Sequence, residues 1–328
     1  MSIKPVNKIL VIRLSSLGDI ILTTPLLQAL KLKYPGVIID FVLKDQYKDA
    51  MLHNPDLSNI YIYDKNNPKK LNALLKAANY DLVIDLQNNI RSAGLTRGVK
   101  TEIQRFKKPH LKKILLVRFK INLLKDLRTI SQRYADTAGV NIEGIRTQLF
   151  TPLKSSTQIK TGTDYIGLCP GSKHFTKRWH PENFIELGNK LTKLGYRIVL
   201  FGGKSDEELC AAICSAIDGS INLQNDDKLL QTAADMRECK LVITNDSGLM
   251  HTAQAVEVPL ISIFGSTVRE FGFFPTGPQN LILENKSLSC RPCSHVGKSN
   301  CPKRHFKCMK EITPDFVLNQ LQIFKEGI

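Results

Sequence analysis

No apolar run in this chain approaches the roughly 18 residues that cross a bilayer, so a membrane-spanning helix is not expected. Two familiar phosphate-binding signatures are also missing. No G-x-G-x-x-G follows the first apolar segment, which argues against a dinucleotide-dependent dehydrogenase. Gly202-Gly-Lys-Ser205 looks like the end of a P-loop, but the position of the required upstream glycine holds Ile198. The opening residues, Met1-Ser-Ile-Lys-Pro-Val-Asn-Lys-Ile, run straight into strand-like sequence. They lack the long apolar core and small-residue cleavage site of a secretory signal, so the expected location is the cytoplasm. Acidic residues are in short supply: 30 Asp and Glu stand against 46 Lys and Arg, a formal charge of +16. That excess predicts an anionic partner, whether nucleic acid, an anionic membrane face or a phosphorylated substrate.

What is present reads as a soluble α/β protein. A chain of 328 residues with 42% hydrophobic content is long enough for two domains. Strand-like runs at Lys8–Arg13, Val37–Leu43, Ile60–Tyr63 and Tyr80–Leu86 alternate with helical periodicity, including Ile20–Lys33. The alternation breaks in a basic stretch from Arg97 to Arg133, followed by a Ser-, Thr- and Lys-rich linker over Thr151–Thr163. It then restarts: strands at Tyr165–Cys169, Arg197–Phe201, Lys240–Thr244 and Pro259–Phe264, helices at Pro181–Leu194, Asp206–Ile217 and Lys228–Glu238, and a last helix from Pro314. Such βα units imply parallel sheets, with ligands at the carboxyl ends of the strands. The expected division is 1–155 and 164–312 as two Rossmann-like domains, with 313–328 as a C-terminal helix.

Three segments carry chemistry. The strand Leu241–Ile243 ends in Asn245-Asp-Ser-Gly-Leu-Met-His251, so Ser247 and Gly248 open a helix whose free N–H groups suit a diphosphate. The plain alternative is an ordinary capped turn. Asp19 follows Gly18 at a helix start, where a carboxylate stays ionised and can accept a hydroxyl proton. Its plain alternative is a capping aspartate. Pro170-Gly-Ser-Lys-His-Phe-Thr-Lys-Arg-Trp179 follows the first strand of the second half. There Gly171 and Ser172 can approach phosphate, and Lys173, Lys177 and Arg178 can neutralise it.

Taken with Arg13-Leu-Ser-Ser-Leu-Gly-Asp19, Asp85-Leu-Gln-Asn-Asn-Ile-Arg-Ser92, Gly202-Gly203 with Asp206, and Phe264-Gly-Ser-Thr267, these segments resemble the family 9 glycosyltransferases, the lipopolysaccharide heptosyltransferases. The resemblance implies a GT-B fold, two Rossmann-like domains whose parallel sheets face each other across a cleft. It implies an inverting, metal-independent transfer of heptose from an ADP-heptose donor, bound by the second domain, to a phosphorylated lipopolysaccharide inner-core acceptor, bound by the first. Position by position it makes Asp19 the catalytic base and Lys177 a second catalytic residue near the donor phosphates. Ser172, Lys173, Asp206, Asp246, Ser247, Gly248 and His251 become donor-binding; Arg13, Gln87 and Arg91 become acceptor-side residues. No cofactor and no nucleic-acid partner is implied, and the acceptor chemistry places the enzyme peripherally on the anionic inner-membrane surface. The rival readings are a related transferase with another nucleotide-sugar donor, a basic nucleic-acid-binding protein without a recognisable module, and a catalytically dead sugar-nucleotide scaffold.

Two features stand apart. Cys290, Cys293, Cys301 and Cys308, with His295 and His305 among them, suit either a tetrahedral metal or free thiols in a loop. In the basic stretch, Leu111, Ile114, Leu115, Phe119 and Leu123 recur at helical spacing among lysines and arginines. That pattern fits a helix on an anionic membrane surface, a helix that packs one face on the core and offers the other to a phosphorylated acceptor, or a solvated cationic face with no partner.

Overall fold

The structure, a computed structural model, describes residues 5–152, 157–160 and 162–326. It divides into two compact units: Met1–Pro109 with Arg128–Phe150, and His110–Leu127 with Thr151–Ile328. The linker expected over Thr151–Thr163 lies partly outside the described residues, at 153–156 and 161, as does the boundary expected at 155. Its described part is tied down. Thr157 Oγ1 and the Gln158 N–H both donate to Asp235 Oδ1, at 2.9 and 2.6 Å.

In the first unit, β1 (Lys8–Ile12), α1 (Leu17–Ile21), α2 (Thr24–Lys33), β2 (Ile38–Leu43), β3 (Asn59–Ile62), α3 (Pro68–Ala77), β4 (Leu82–Asp85), α4 (Ile90–Leu95) and β5 (Glu102–Arg105) follow in order. The chain then contributes α5 (His110–Phe119) to the second unit and returns with α6 (Ile130–Thr137). The sheet is parallel, in the order β3-β2-β1-β4-β5. β1 is central, and its residues Ile9 to Ile12 are fully buried. That is why its sequence is continuously apolar and does not alternate. Leu10, Ile12, Val42 and Val83 pack against Leu71, Leu75 and Tyr80 on one face. The single helix expected over Ile20–Lys33 is two: α1 ends at Ile21, and α2 restarts at Thr24 with Pro25 in its first turn, where proline costs no hydrogen bond.

The second unit contains β6 (Tyr165–Cys169), α7 (Pro181–Lys193), β7 (Arg197–Leu200), α8 (Glu207–Ser215), β8 (Ile221–Asn222), α9 (Leu229–Arg237), β9 (Cys239–Asn245), α10 (Gly248–Ala255), β10 (Leu260–Phe264), β11 (Asn280–Glu284), α11 (Lys307–Lys310) and α12 (Pro314–Glu326). Its sheet, β11-β10-β9-β6-β7-β8, is also parallel. Ile166, Leu168, Ile243 and Ile261 of the sheet pack with Phe184, Leu187 and Leu191 of α7. Trp179 sits in this core with its ring edge-on to Phe184, and its Nε1–H donates to the Ile312 carbonyl at 2.7 Å. Gly167 in β6 leaves room for Phe201, whose ring would lie 2.7 Å from a Cβ there. Among the described residues, no helix is long and apolar enough to cross a membrane.

Candidate active site

In the first unit, chemistry collects after β1. Asp19 lies in the first turn of α1, and its Oδ2 accepts from the Ser16 N–H at 3.2 Å and the Ser16 hydroxyl at 2.7 Å. Its Oδ1 pairs with Arg13 Nη2 at 2.7 Å and accepts from the Tyr134 hydroxyl at 3.1 Å. Burial opposes ionisation of this carboxyl, but the Arg13 guanidinium and the Ser16 donors outweigh it. The group is held below the usual carboxylate range. The capping reading is realised, since Asp19 closes a capping box with Ser16 at the start of α1, and the same carboxylate is fixed and favoured in its ionised form.

Arg13 is committed to this arrangement. Its Nη1 donates to the Leu86 carbonyl at 2.7 Å, and its guanidinium lies 5.5 Å from the centre of the Tyr134 ring. Gln87 is buried, and its Oε1 accepts from the Leu14 N–H at 2.9 Å, so it braces the turn that carries Asp19. Arg91 is exposed, in the first turn of α4 behind the capping side chain of Asn89. Sequence reasoning singled out neither Tyr134 nor Lys108 as a site residue. Tyr134 is fully buried on α6, which opens with a capping box of Thr129 and Gln132. Lys108 donates to the Gln87 and Asn88 carbonyls. Burial, then the nearby Arg13 charge, pushes its ammonium below the ordinary lysine value.

In the second unit, β10, β9, β6 and β7 are adjacent, so the loops at their carboxyl ends converge. Asn245, the last residue of β9, donates through Nδ2 to the Pro170 carbonyl at 2.7 Å, and its Oδ1 accepts from the Trp179 N–H at 2.9 Å. Ser172 Oγ donates to the Asp246 carbonyl at 3.1 Å. Lys177 Nζ lies 2.8 Å from Asp246 Oδ2, which also accepts from Thr267 Oγ1 at 2.7 Å. Asp246 therefore holds a cation in place, and that cation is the group suited to an incoming anion. Ser247 caps α10 in extended conformation, yet its buried hydroxyl has no hydrogen-bond partner among the described residues. An orphaned hydroxyl at a helix N-terminus is costly unless a ligand satisfies it. Gly248 opens that helix. His251, one turn on, is buried 6.4 Å from the Phe273 ring centre.

Asp206 joins the same convergence. Its Oδ2 accepts from the Gly203 N–H at 3.1 Å, and a Cβ on Gly171 would lie 2.4 Å from its carboxyl. Burial, helped by the Asp227 charge, raises its pKa against the Gly203 N–H and the Arg178 charge. Arg178 Nε donates to the Ser172 carbonyl at 2.5 Å, and Lys173 is exposed. The structure thus gathers Ser172, Lys177, Asp206, Asp246, Ser247 and Gly248 in one loop cluster, and Asp19, Arg13 and Gln87 in another.

The cysteines form no disulfide. Cys290 Sγ lies 3.8 Å from His305 Nε2, and burial pushes the Cys308 thiol up to about 12. Among the described residues no set of three or more His, Cys, Asp or Glu side chains is arranged to hold a metal ion.

Comparison with known proteins gives this geometry a context. Lipooligosaccharide heptosyltransferase 2 of Haemophilus influenzae is 27% identical, covering 95% of this chain and 98% of that protein. Lipopolysaccharide heptosyltransferase 2 of Salmonella typhimurium is 26% identical, covering 98% and 100%. Among solved structures, a family 9 glycosyl transferase from Veillonella parvula matches with a TM-score of 0.80 and 24% identity, over 99% of this chain and 98% of that one. The E. coli ADP-heptose lipopolysaccharide heptosyltransferase II matches with a TM-score of 0.77 and 22% identity, over 97% and 98%. These likenesses show the α/β fold with two parallel sheets that the GT-B heptosyltransferases share. The model of glycosyltransferase family 9 (heptosyltransferase) matches residues 69–303, and to that family the chain belongs.

Proposed function

We propose that this enzyme transfers heptose from ADP-heptose to a phosphorylated lipopolysaccharide inner-core acceptor, with inversion and without a metal or other cofactor. Family membership, and relatives named lipooligosaccharide and lipopolysaccharide heptosyltransferase 2, support heptose transfer and a lipopolysaccharide-type acceptor. The observation that carries the chemistry is the buried, unpartnered Ser247 hydroxyl at the N-terminus of α10, in the turn where Lys177 pairs with Asp246.

In this reading the second unit binds the donor. Lys177 and the α10 N–H groups take the diphosphate, Ser172 and Lys173 border it, His251 supports the helix behind it, and the Asp206 carboxylate accepts from a ribose hydroxyl. The first unit binds the acceptor, with Arg91 and Gln87 on that side. The acceptor oxygen attacks the anomeric carbon while its proton passes to Asp19. The bond from that carbon to the donor phosphate breaks, and ADP leaves with the electron pair. Direct displacement inverts the anomeric centre. Fixed cations and helix N–H groups stabilise the diphosphate as it departs, the part a metal plays elsewhere. The excess of positive charge favours peripheral attachment to the anionic surface of the inner membrane.

The test is turnover of a panel of ADP- and UDP-sugars with heptose-deficient lipopolysaccharide. Release of ADP from ADP-heptose, with a product of inverted anomeric configuration by NMR, is the expected result. Preference for a UDP-sugar, or retention of configuration, overturns the reading.

A further inference from the structure

Segment 110–127 carries an unusual surface. Of the apolar residues of α5, Leu111, Ile114, Leu115, Leu116, Val117 and Phe119, only Leu116 is buried. Leu111 is 77% exposed and Phe119 61%. Beyond the helix Ile121, Leu123 and Leu127 are exposed as well. Among the described residues, six of the seventeen exposed large apolar side chains thus fall within the 17 residues from Leu111 to Leu127. Scattered exposed leucines need no explanation, but a contiguous group does.

The group is held firmly. Leu116 and Leu124 pack on Phe271. Lys120 Nζ donates to the Cys290 carbonyl at 3.0 Å and the Pro292 carbonyl at 2.6 Å, and Asn122 Nδ2 donates to Glu270 Oε1 at 2.9 Å. Val117 packs against the same cluster and Leu115 is half-buried, while Leu111, Ile114, Phe119, Ile121, Leu123 and Leu127 are left to solvent. Lys112, Arg118 and Lys125 stand exposed among them, and Asp126 is the only acidic residue of the segment.

We propose that this braced segment is a membrane-insertion surface: its apolar side chains enter the acyl boundary of an anionic bilayer while its cations meet the lipid phosphates. The proposal deepens the peripheral attachment proposed above, and rests on it. Charge complementarity selects the occupant. A purely electrostatic contact, with a membrane or a nucleic acid, would use the lysines and arginines and leave the aliphatic groups in water. Interleaved cations and large apolar chains match the lipid interface, where each has a partner.

The experiment uses Phe119→Trp in the full chain. The protein's single tryptophan, Trp179, is 1% exposed, so the introduced indole reports on the segment alone. The variant is mixed with phosphatidylglycerol–phosphatidylethanolamine vesicles, with and without acyl-brominated lipid. The expected results are a blue-shifted emission, quenching by the brominated lipid, and vesicle pelleting that survives in part at about 0.5 M salt. Replacing Leu111, Ile114, Ile121 and Leu123 by Ser in the otherwise native chain should lower vesicle partition at least roughly tenfold, with ADP affinity unchanged as the check on folding. Pelleting without quenching, fully reversed by salt, would overturn insertion while leaving electrostatic attachment standing. No pelleting with any vesicle overturns both. An oligomer that the Ser variant dissociates, with no lipid quenching, would assign the surface to a second copy of the chain and overturn the proposal.

Discussion

Lys177 and Asp246 lie 2.8 Å apart, and the carboxylate oxygen that holds the lysine is also held by Thr267. A lysine on a flexible stem is thereby fixed in the loop cluster before any ligand arrives. Lys177→Ala should weaken ADP binding by about 1.5–3 kcal/mol, or roughly 10- to 150-fold in Kd, and slow turnover as well. Asp246→Asn should reproduce part of that loss, since the amide no longer pairs with the ammonium. Calorimetry that finds ADP affinity unchanged in both variants removes the diphosphate role.

Asp19→Asn should lower turnover by about 10²–10⁴-fold and leave ADP binding nearly unchanged, because the amide keeps the shape and loses the proton acceptor. Turnover within threefold of the native enzyme would remove Asp19 from the chemistry.

The Asp19 carboxyl sits below its ordinary value, chiefly because Arg13 and Ser16 outweigh its burial. A lowered carboxyl contributes stability above its unfolded value of about 3.9 and loses it as pH falls through the folded value. The acidic limb of activity assigned to Asp19 should therefore lie below about pH 4, and turnover should show no Asp19 titration from pH 5 to 8. Arg13→Gln removes the main charge that opposes burial, so that limb should move to higher pH. A limb that stays in place in the variant argues that another group sets it.

Gly171→Ala should destabilise the second unit by about 1–3 kcal/mol, because the added Cβ would meet the Asp206 carboxyl at 2.4 Å. Urea unfolding measures this. A stability equal to that of the native protein would mean that Asp206 moves aside at no cost.

In the proposed mechanism cations and helix N–H groups take the part of a metal at the diphosphate, so turnover should be unaffected by EDTA. Loss of activity in EDTA that magnesium restores would contradict this.

Local signals were legible in the sequence and long-range ones were not. The buried strand β6 was readable to the residue, and β9 to within one residue at each end, because central parallel strands are uninterrupted apolar runs. β5, of sequence EIQR, has one apolar residue, and β11 closes a sheet edge where neither face is fully buried, so neither gave a signal. Asp19, Lys177 and Asp246 drew attention because each lies in a loop or turn that follows a strand, within the segments that carry the family resemblance. Tyr134 could not, since it reaches Asp19 across 115 residues and no local pattern encodes that contact. In the basic stretch the helical spacing ran on to Leu123, but α5 ends at Phe119. There Leu116 is buried, while Leu111, Ile114, Phe119 and Leu123 are exposed.

The excursion of residues 110–127 into the second unit has a consequence for how the chain can be divided. One cut cannot separate the units. A fragment ending near residue 150 carries a segment whose packing partner, Phe271, is left behind, and the complementary fragment presents Phe271 to water without Leu116 and Leu124 to cover it. Each half expressed alone thus bears a sticky scar. Clean isolation of either unit requires excising the excursion from one half and grafting it onto the other.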